Sequence, residues 1–175
     1  DILVTGGAGF LGTRLISALL DGQGQPGGLA FDRIVSVDLA ASPVPSPRVV
    51  SEIGSINDST LLGRVVTPRT GTVFHLAAIV SSQAEREFDA GMAVNLDGTR
   101  ALLDACRASG ARPFFFFSSS LAVFGGDCPA VVTDAQVPRP HPLHPGELVL
   151  VGPVVVGDLC IGDLGGQFPS RLQNQ

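Results

Sequence analysis

The sequence contains no lysine, no tyrosine and no tryptophan, and all 11 of its positively charged residues are arginine. Lysine is normally among the commonest residues of a protein. Arginine can replace lysine as a surface charge, but its guanidinium keeps its proton and cannot serve as an amine of adjustable pKa. The absences therefore exclude any reaction that needs a lysine amine or a tyrosine phenol from these 175 residues.

Positive charge is also scarce, because the formal net charge is −5, the pI is about 5 and no basic run occurs. This balance argues against nucleic acid or an anionic membrane surface as the main partner. No segment reaches the ~18 uninterrupted apolar residues that a membrane-spanning helix needs, and none resembles a signal peptide. The chain opens without methionine inside a predicted strand, so we expect a fragment at its start.

Cysteine is sparse as well. Cys106, Cys128 and Cys160 are widely spaced and odd in number, and no two of them have the spacing of a metal-binding pair. We therefore expect no metal site, and we interpret the three residues as reduced, mostly buried thiols of a cytoplasmic protein.

Apolar patterning predicts strands that alternate with helices. The predicted strands are residues 2–5, the stretch RIVSVDL that ends at Asp38, residues 48–56, the stretch TVFHLAA, and residues 113–117. Helices are predicted from Phe10 to Asp21, from about Ser59, and in two stretches between Gln83 and Ser109. This order predicts an α/β fold with a doubly wound parallel sheet, covered by helices on both faces.

The stretch PFFFFSSSLAVFGG, from Pro113 to Gly126, joins four phenylalanines to three serines. A short continuous apolar run is typical of a parallel strand that is buried on both faces, so we predict such a strand here. Hydroxyls at the end of a buried strand cost free energy unless they are hydrogen bonded. The serines either end the strand or hold a substrate.

A glycine loop follows the first predicted strand. TGGAGFLG spans Thr5 to Gly12 and contains Gly7-x-Gly9-x-x-Gly12, which also reads as GxxGxxG from Gly6. Glycines there let the chain turn tightly and let a pyrophosphate approach the N-terminus of the next helix. Asp38 ends the second strand, where its carboxylate can bind the adenosine ribose and favour NAD over NADP. The alternative is a tight turn followed by an aspartate that only ends a strand.

Four motifs together resemble the extended short-chain dehydrogenase/reductases, the NAD-dependent epimerase/dehydratase family. They are the glycine loop, HLAA at residues 75–78, VNLDGT at residues 94–99 and SSSLAVFGG at residues 118–126. The resemblance covers residues 1 to about 137 and implies a Rossmann-type NAD-binding domain. It also implies hydride transfer between nicotinamide and a hydroxyl-bearing carbon of a sugar acid or nucleotide sugar, and homodimers of the intact protein.

The resemblance also implies roles for individual residues. Ser120 matches the active-site serine, Asn95 steadies the site or caps a helix, and His75 is interpreted as a structural histidine. Ser118 and Ser119 are expected at the strand end and around the cofactor. The implied cofactor contacts are Gly6, Gly9 and Gly12, the backbone of Phe10 and Leu11 at the pyrophosphate, Asp38 at the ribose, Ser55 and Ile56 at the adenine, and Leu76, Ala77, Ala78 and Asn95 on the nicotinamide side.

The resemblance stops at the catalytic tyrosine and lysine, which would fall near His144 and Leu148. Prolines around His144 oppose the helix that such a pair needs. We therefore predict an NAD-binding domain over residues 1–137 and, over residues 138–175, a divergent tail of truncated or frameshifted origin. The chain is then the NAD-binding portion of an oxidoreductase or epimerase. The alternatives are an inactive nucleotide-binding or regulatory remnant, and a product that folds poorly. Methyl transfer from S-adenosylmethionine is a third reading, and it leaves the serine motif unexplained.

Overall fold

The computed structural model describes residues 1–24, 27–118 and 155–156, and the predicted α/β class is confirmed. Five parallel strands form the sheet, and a two-residue sixth strand pairs antiparallel with the fifth, in the order β3-β2-β1-β4-β5-β6. The strands are β1 Ile2–Thr5, β2 Ile34–Asp38, β3 Val49–Ile53, β4 Thr72–His75, β5 Phe114–Phe117 and β6 Val155–Val156. The helices are α1 Phe10–Asp21, α2 Ser59–Val65, α3 Ser81–Arg86, α4 Phe88–Met92 and α5 Thr99–Ser109, with a π-helix at Ala93–Gly98 before α5.

The ends of the helices follow local chemistry. Asp58 caps α2, because its carboxylate accepts the backbone N–H groups of Thr60 and Leu61 at 2.9 and 3.1 Å. Helix α5 ends at Gly110, which adopts a left-handed conformation with φ of 70° that a glycine reaches without steric cost. Both boundaries were predicted from the sequence.

The sheet separates two hydrophobic clusters. Side chains of α2 and α5 pack on one face, with Leu62 and Leu102 almost fully buried against Leu3, Val73 and their neighbours. Cys106 belongs to this cluster, and burial raises the pKa of its thiol to about 11. On the other face, Ile16 of α1 packs against β1 and β2. The two clusters place helices on both faces of the sheet, as a doubly wound fold requires.

The prediction that β5 is buried on both faces is wrong. Phe115 is 3% exposed and packs in the cluster under α5, whereas Phe114 is 49% and Phe116 is 42% exposed. Successive side chains of a strand point to opposite faces, and no helix within the described ranges covers Phe114 and Phe116 on theirs. The ring of Phe116 instead stacks on Phe74 of the neighbouring strand, with the ring centroids 5.1 Å apart.

No helix among residues 1–24, 27–118 and 155–156 is both long and apolar enough to cross a membrane. The boundary that the sequence predicts at residue 137 lies outside the described residues, as does most of the predicted tail.

Candidate functional site

The carboxyl ends of the parallel strands meet at one edge of the sheet, and most of the predicted site residues follow those ends. The chain leaves β1 and forms α1 on its way to β2, whereas the connection from β3 crosses back over the sheet to β4. The order of the strands therefore reverses between β1 and β4. Ligands of doubly wound sheets bind in the crevice outside such a reversal. The candidate site is thus the carboxyl edge around β1 and β4.

The glycine loop is tightly packed against its own backbone. Gly6 has a φ of 72°, and a Cβ on it would lie 2.7 Å from the backbone nitrogen of Ala77. A Cβ on Gly12 would lie 2.2 Å from the carbonyl oxygen of Gly6 and 2.6 Å from Cα of Gly7. All three distances are below 3.0 Å, which real Cβ atoms essentially never show, and all three involve backbone that cannot rotate away. These two glycines are required by the shape of the loop.

Helix α1 presents its N-terminus to the same edge. Gly9 caps the helix without a side-chain hydrogen bond, and the first intrahelical bond joins the N–H of Thr13 to the carbonyl of Gly9 at 2.9 Å. The N–H groups of the first turn have no carbonyl one turn back to bond. Phe10 and Leu11 are 77% and 60% exposed there. This end of α1 can accept the phosphates of a nucleotide.

Asp38 is hydrogen bonded to the glycine loop. Its Oδ2 atom accepts the N–H of Ala8 at 2.9 Å, and its Oδ1 atom accepts the N–H of Leu39 at 2.7 Å. Each carboxylate oxygen has a second lone pair, so each can still accept a hydrogen bond from a ribose hydroxyl. The role of Ala8 is not predictable from the sequence, since a backbone donor leaves no signal in residue type.

The predicted adenine pair follows β3. Ser55 is partly buried, and its hydroxyl accepts the N–H of Asn57 at 3.2 Å. Ile56 is 5% exposed and packs against Gly98, where a Cβ would lie 2.6 Å from the Ile56 Cδ1 atom. The adenine contacts of both residues stay predictions.

His75 lies at the end of β4, buried between two threonines. Its Nδ1 atom is 2.6 Å from the Thr5 hydroxyl, and its Nε2 atom is 2.8 Å from the Thr99 hydroxyl. Thr5, His75 and Thr99 are 0%, 5% and 4% exposed. Burial lowers the pKa of His75 to about 4, so the ring is neutral at pH 7. These contacts are those of a structural histidine, as predicted from the sequence, whereas the two threonine partners were not predicted.

Asn95 lies within the π-helix and not at a helix end. The alternative role considered for it, that of a helix-capping residue, is therefore wrong. Its amide oxygen accepts the N–H of Ile79 at 2.8 Å, and its amide nitrogen donates to the carbonyl of Ile79 at 3.0 Å. These two bonds tie the π-helix to the segment that follows β4. Single π-helical turns often occur at functional sites.

The segment Leu76–Ala78 joins the two parts of the site. The N–H of Leu76 bonds to the carbonyl of Thr5 at 3.0 Å, and the N–H of Ala77 bonds to the Thr5 hydroxyl at 3.3 Å. The Leu76–Ala77 peptide also lies where a Cβ on Gly6 would be. The glycine loop, the predicted nicotinamide-side segment and the His75 contacts are therefore adjacent.

The serine motif is described only at its first residue. Ser118 is exposed immediately after β5, at the same edge of the sheet. Ser120, which the sequence predicts as catalytic, lies outside the described residues together with Ser119, His144 and Leu148. Their roles stay predictions.

This sheet order, with a glycine loop between β1 and α1 and an acid after β2, defines a domain of the Rossmann type. The model of the 3-beta hydroxysteroid dehydrogenase/isomerase family matches residues 3–146. The chain belongs to this family.

Relatives and solved structures agree with that membership. The chain is 42% identical over 164 residues to D-erythronate dehydrogenase of Cupriavidus necator, covering 90% of this chain and 50% of the relative. A nucleoside-diphosphate-sugar epimerase from Agrobacterium tumefaciens superposes with a TM-score of 0.70 at 34% identity, covering 79% of this chain and 42% of that one. MoeE5 in complex with UDP-glucose and NAD superposes with a TM-score of 0.68 at 30% identity, covering 85% and 46%. The predicted resemblance to the NAD-dependent epimerases and dehydrogenases is confirmed, and D-erythronate dehydrogenase is one of the relatives.

The extent of these matches bears on the predicted tail. The chain spans about half the length of the curated relative that it matches. The family match runs to residue 146, beyond the predicted boundary at residue 137. The alignment to the Cupriavidus enzyme covers 90% of the chain, more than residues 1–137 comprise, since 137 of 175 is about 78%. The sequence similarity therefore continues past residue 137, and the domain boundary there stays a prediction.

Proposed function

We propose that the chain is the NAD-binding portion of an oxidoreductase or epimerase that acts on a hydroxyl of a sugar acid or nucleotide sugar. One observation carries the nucleotide part of this proposal. The Asp38 carboxylate is hydrogen bonded to Ala8 inside the glycine loop, so the ribose-binding acid and the phosphate-binding loop are held in one geometry.

The described residues fit NAD. Gly6 and Gly12 allow the loop to pack tightly on backbone at the start of α1, the N-terminus of α1 offers N–H groups to the pyrophosphate, and Asp38 repels the 2′-phosphate of NADP. When bound, NAD supplies a nicotinamide ring that accepts a hydride. Leu76–Ala78 line the nicotinamide-side ribose, Asn95 steadies the site beside the cofactor, and Ser120 is proposed to hydrogen bond the substrate oxygen.

The substrate class comes from the relatives' printed activities. One is a D-erythronate dehydrogenase, and a solved neighbour holds UDP-glucose and NAD. A sugar acid or nucleotide sugar is thus the proposed substrate of the longer protein. Its cytoplasmic location is proposed from the pattern of its cysteines. Its homodimerisation is proposed from the family resemblance, and size-exclusion chromatography with light scattering tests it.

A second candidate follows from the lack of tyrosine and lysine in the chain. A general base must take the proton of the substrate hydroxyl, and the phenol and amine that the resemblance implies for that step are absent. The chain as it stands is then a nucleotide-binding remnant without turnover.

Two measurements test and separate these functions. Calorimetric titration with NAD and with NADP should give binding of NAD and weaker binding of NADP. Absorbance at the reduced-nicotinamide band, with D-erythronate and UDP-glucose as test substrates, then reports turnover. Binding of NAD without reduction supports the remnant, reduction supports the enzyme, and the absence of NAD binding contradicts both.

A further inference from the structure

The hydrogen bonds around His75 permit one assignment of protons. The Thr99 hydroxyl donates its only hydrogen to the carbonyl oxygen of Asn95, 2.8 Å away. The same hydroxyl lies 2.8 Å from Nε2 of His75, so it must accept a hydrogen there. The proton of the neutral ring is therefore on Nε2.

The other end of the ring follows from this. Nδ1 carries a lone pair and accepts the hydroxyl hydrogen of Thr5 at 2.6 Å. The Thr5 oxygen in turn accepts the N–H of Ala77 at 3.3 Å. A single line of hydrogen bonds therefore runs from Ala77 through Thr5, His75 and Thr99 to Asn95, with every donor matched to an acceptor.

This line ends on the π-helix at a point where the helix ladder is altered. The backbone N–H of Thr99 bonds to the carbonyl of Leu96, and the Thr99 hydroxyl serves the carbonyl of Asn95 in its place. A side chain that inserts into the ladder in this way bends a helix locally. The same turn carries the Asn95 amide, which bonds both backbone groups of Ile79.

We propose that His75, in its Nε2–H form, is a positioning residue that fixes the nicotinamide half of the site by linking Thr5 to the π-helical turn of Asn95. The proposal rests on the proposed NAD binding. The ring touches none of the predicted cofactor contacts through its own nitrogens, and it acts through Thr99 on Asn95 and through Thr5 on Ala77.

Thr99→Val and Thr99→Ser test the proposal as a matched pair. Valine keeps the shape of threonine and removes the hydroxyl, whereas serine keeps the hydroxyl. Affinities are measured for NAD and for ADP, which occupies only the adenosine half of the site. We expect Thr99→Val to weaken NAD binding about 10-fold, the equivalent of one buried hydrogen bond, and to leave ADP binding within about twofold. Thr99→Ser should leave both affinities within about twofold of wild type.

Two results overturn the proposal: equal weakening of NAD and ADP binding by Thr99→Val, or unchanged NAD binding in a folded Thr99→Val chain. If the wild-type chain binds neither NAD nor ADP, the proposed function is contradicted. The hydrogen bonds from Ala77 to Asn95 are then tested separately.

The separate test measures the NMR signals of the imidazole nitrogens in the wild-type chain. It also tests the proposal if Thr99→Val does not fold. The ¹⁵N–¹H spectrum at pH 7 should show one neutral histidine protonated on Nε2. The signal is assigned to His75 with His141→Gln and His144→Gln, since the chain has three histidines. A charged ring or protonation on Nδ1 overturns the proposal.

Discussion

The two halves of the candidate site are built from different atoms. The adenosine half consists mainly of backbone, namely the glycine loop with its Ala8 N–H group and the start of α1, and its one proposed polar side chain is the Asp38 carboxylate. The nicotinamide half consists of buried side chains, with His75 between two threonines and Asn95 on Ile79. Atoms added to the glycine loop should therefore disrupt the adenosine half, where Asp38 is the one polar side chain to remove, whereas the nicotinamide half should be weakened by removing any of several buried polar atoms.

The largest effect is expected from Gly12→Ala in the adenosine half. The new Cβ would lie 2.2 Å from the carbonyl oxygen of Gly6, and the loop must move to accept it. We expect a loss of about 3 kcal/mol in the free energy of unfolding and about 100-fold in affinity for NAD and ADP alike. Denaturant unfolding and calorimetry measure the two quantities.

The matched control is Gly63→Ala in α2. A Cβ on Gly63 meets nothing within 4 Å. Alanine favours a helix over glycine, so this variant should gain roughly 0.5–1 kcal/mol in stability and bind both ligands as wild type does. Unchanged binding by Gly12→Ala would show that the loop does not hold the nucleotide.

Asp38→Asn, in the same adenosine half, should reduce the affinity for NAD less than Gly12→Ala does. It removes the negative charge that holds the Ala8 N–H and that we propose binds the ribose. Loss of a charged hydrogen bond of this kind costs about 2 kcal/mol, or about 30-fold in the affinity for NAD. The preference for NAD over NADP should narrow as well, because the neutral amide no longer repels the 2′-phosphate.

Asp104→Asn serves as the control for net charge, since its carboxylate is exposed and pairs with Arg107 on the outer surface of α5. It should leave both affinities unchanged. If Asp38→Asn binds NAD as tightly as Asp104→Asn does, Asp38 is not the ribose ligand.

The adenosine half was largely predictable from the sequence, and the nicotinamide half was not. The glycine spacing, Asp38 and the caps of α2 and α5 are local patterns, and each was predicted. The contacts of His75 join residues 70 and 24 positions apart in the chain, which no local pattern reveals. The exposure of Phe114 and Phe116 was missed for a related reason, because burial depends on which helices cover a face and not on the apolar run itself.

Acid should lower the free energy of unfolding through His75, the central residue of the nicotinamide half. Its pKa is about 4 in the folded chain and 6.5 in the unfolded one, so between these values the unfolded chain binds a proton that the folded chain does not. The free energy of unfolding therefore rises with pH in this window, and its His75 contribution is lost as pH falls from 6.5 towards 4. We expect a loss of about 2 kcal/mol between pH 7.5 and pH 5.

Denaturant unfolding of wild type and His75→Gln at both pH values isolates this term, because carboxylate titrations are common to both chains. The difference in free energy of unfolding between wild type and His75→Gln should be smaller at pH 5 than at pH 7.5 by about 2 kcal/mol. A pH-independent difference would mean that His75 is not buried as a neutral ring.

The smallest effect is expected from Thr5→Ser, which separates hydrogen bonding from packing in the nicotinamide half. Thr5 is fully buried, so removal of its methyl group costs about 1 kcal/mol in the free energy of unfolding. The serine hydroxyl can still donate to Nδ1 of His75 and accept the N–H of Ala77. The ratio of NAD to ADP affinity should therefore stay within about twofold of wild type, where one lost hydrogen bond would change it about 10-fold. A large change in that ratio, with the fold intact, would mean that the shape of the Thr5 side chain, and not its hydroxyl, holds the nicotinamide half in place.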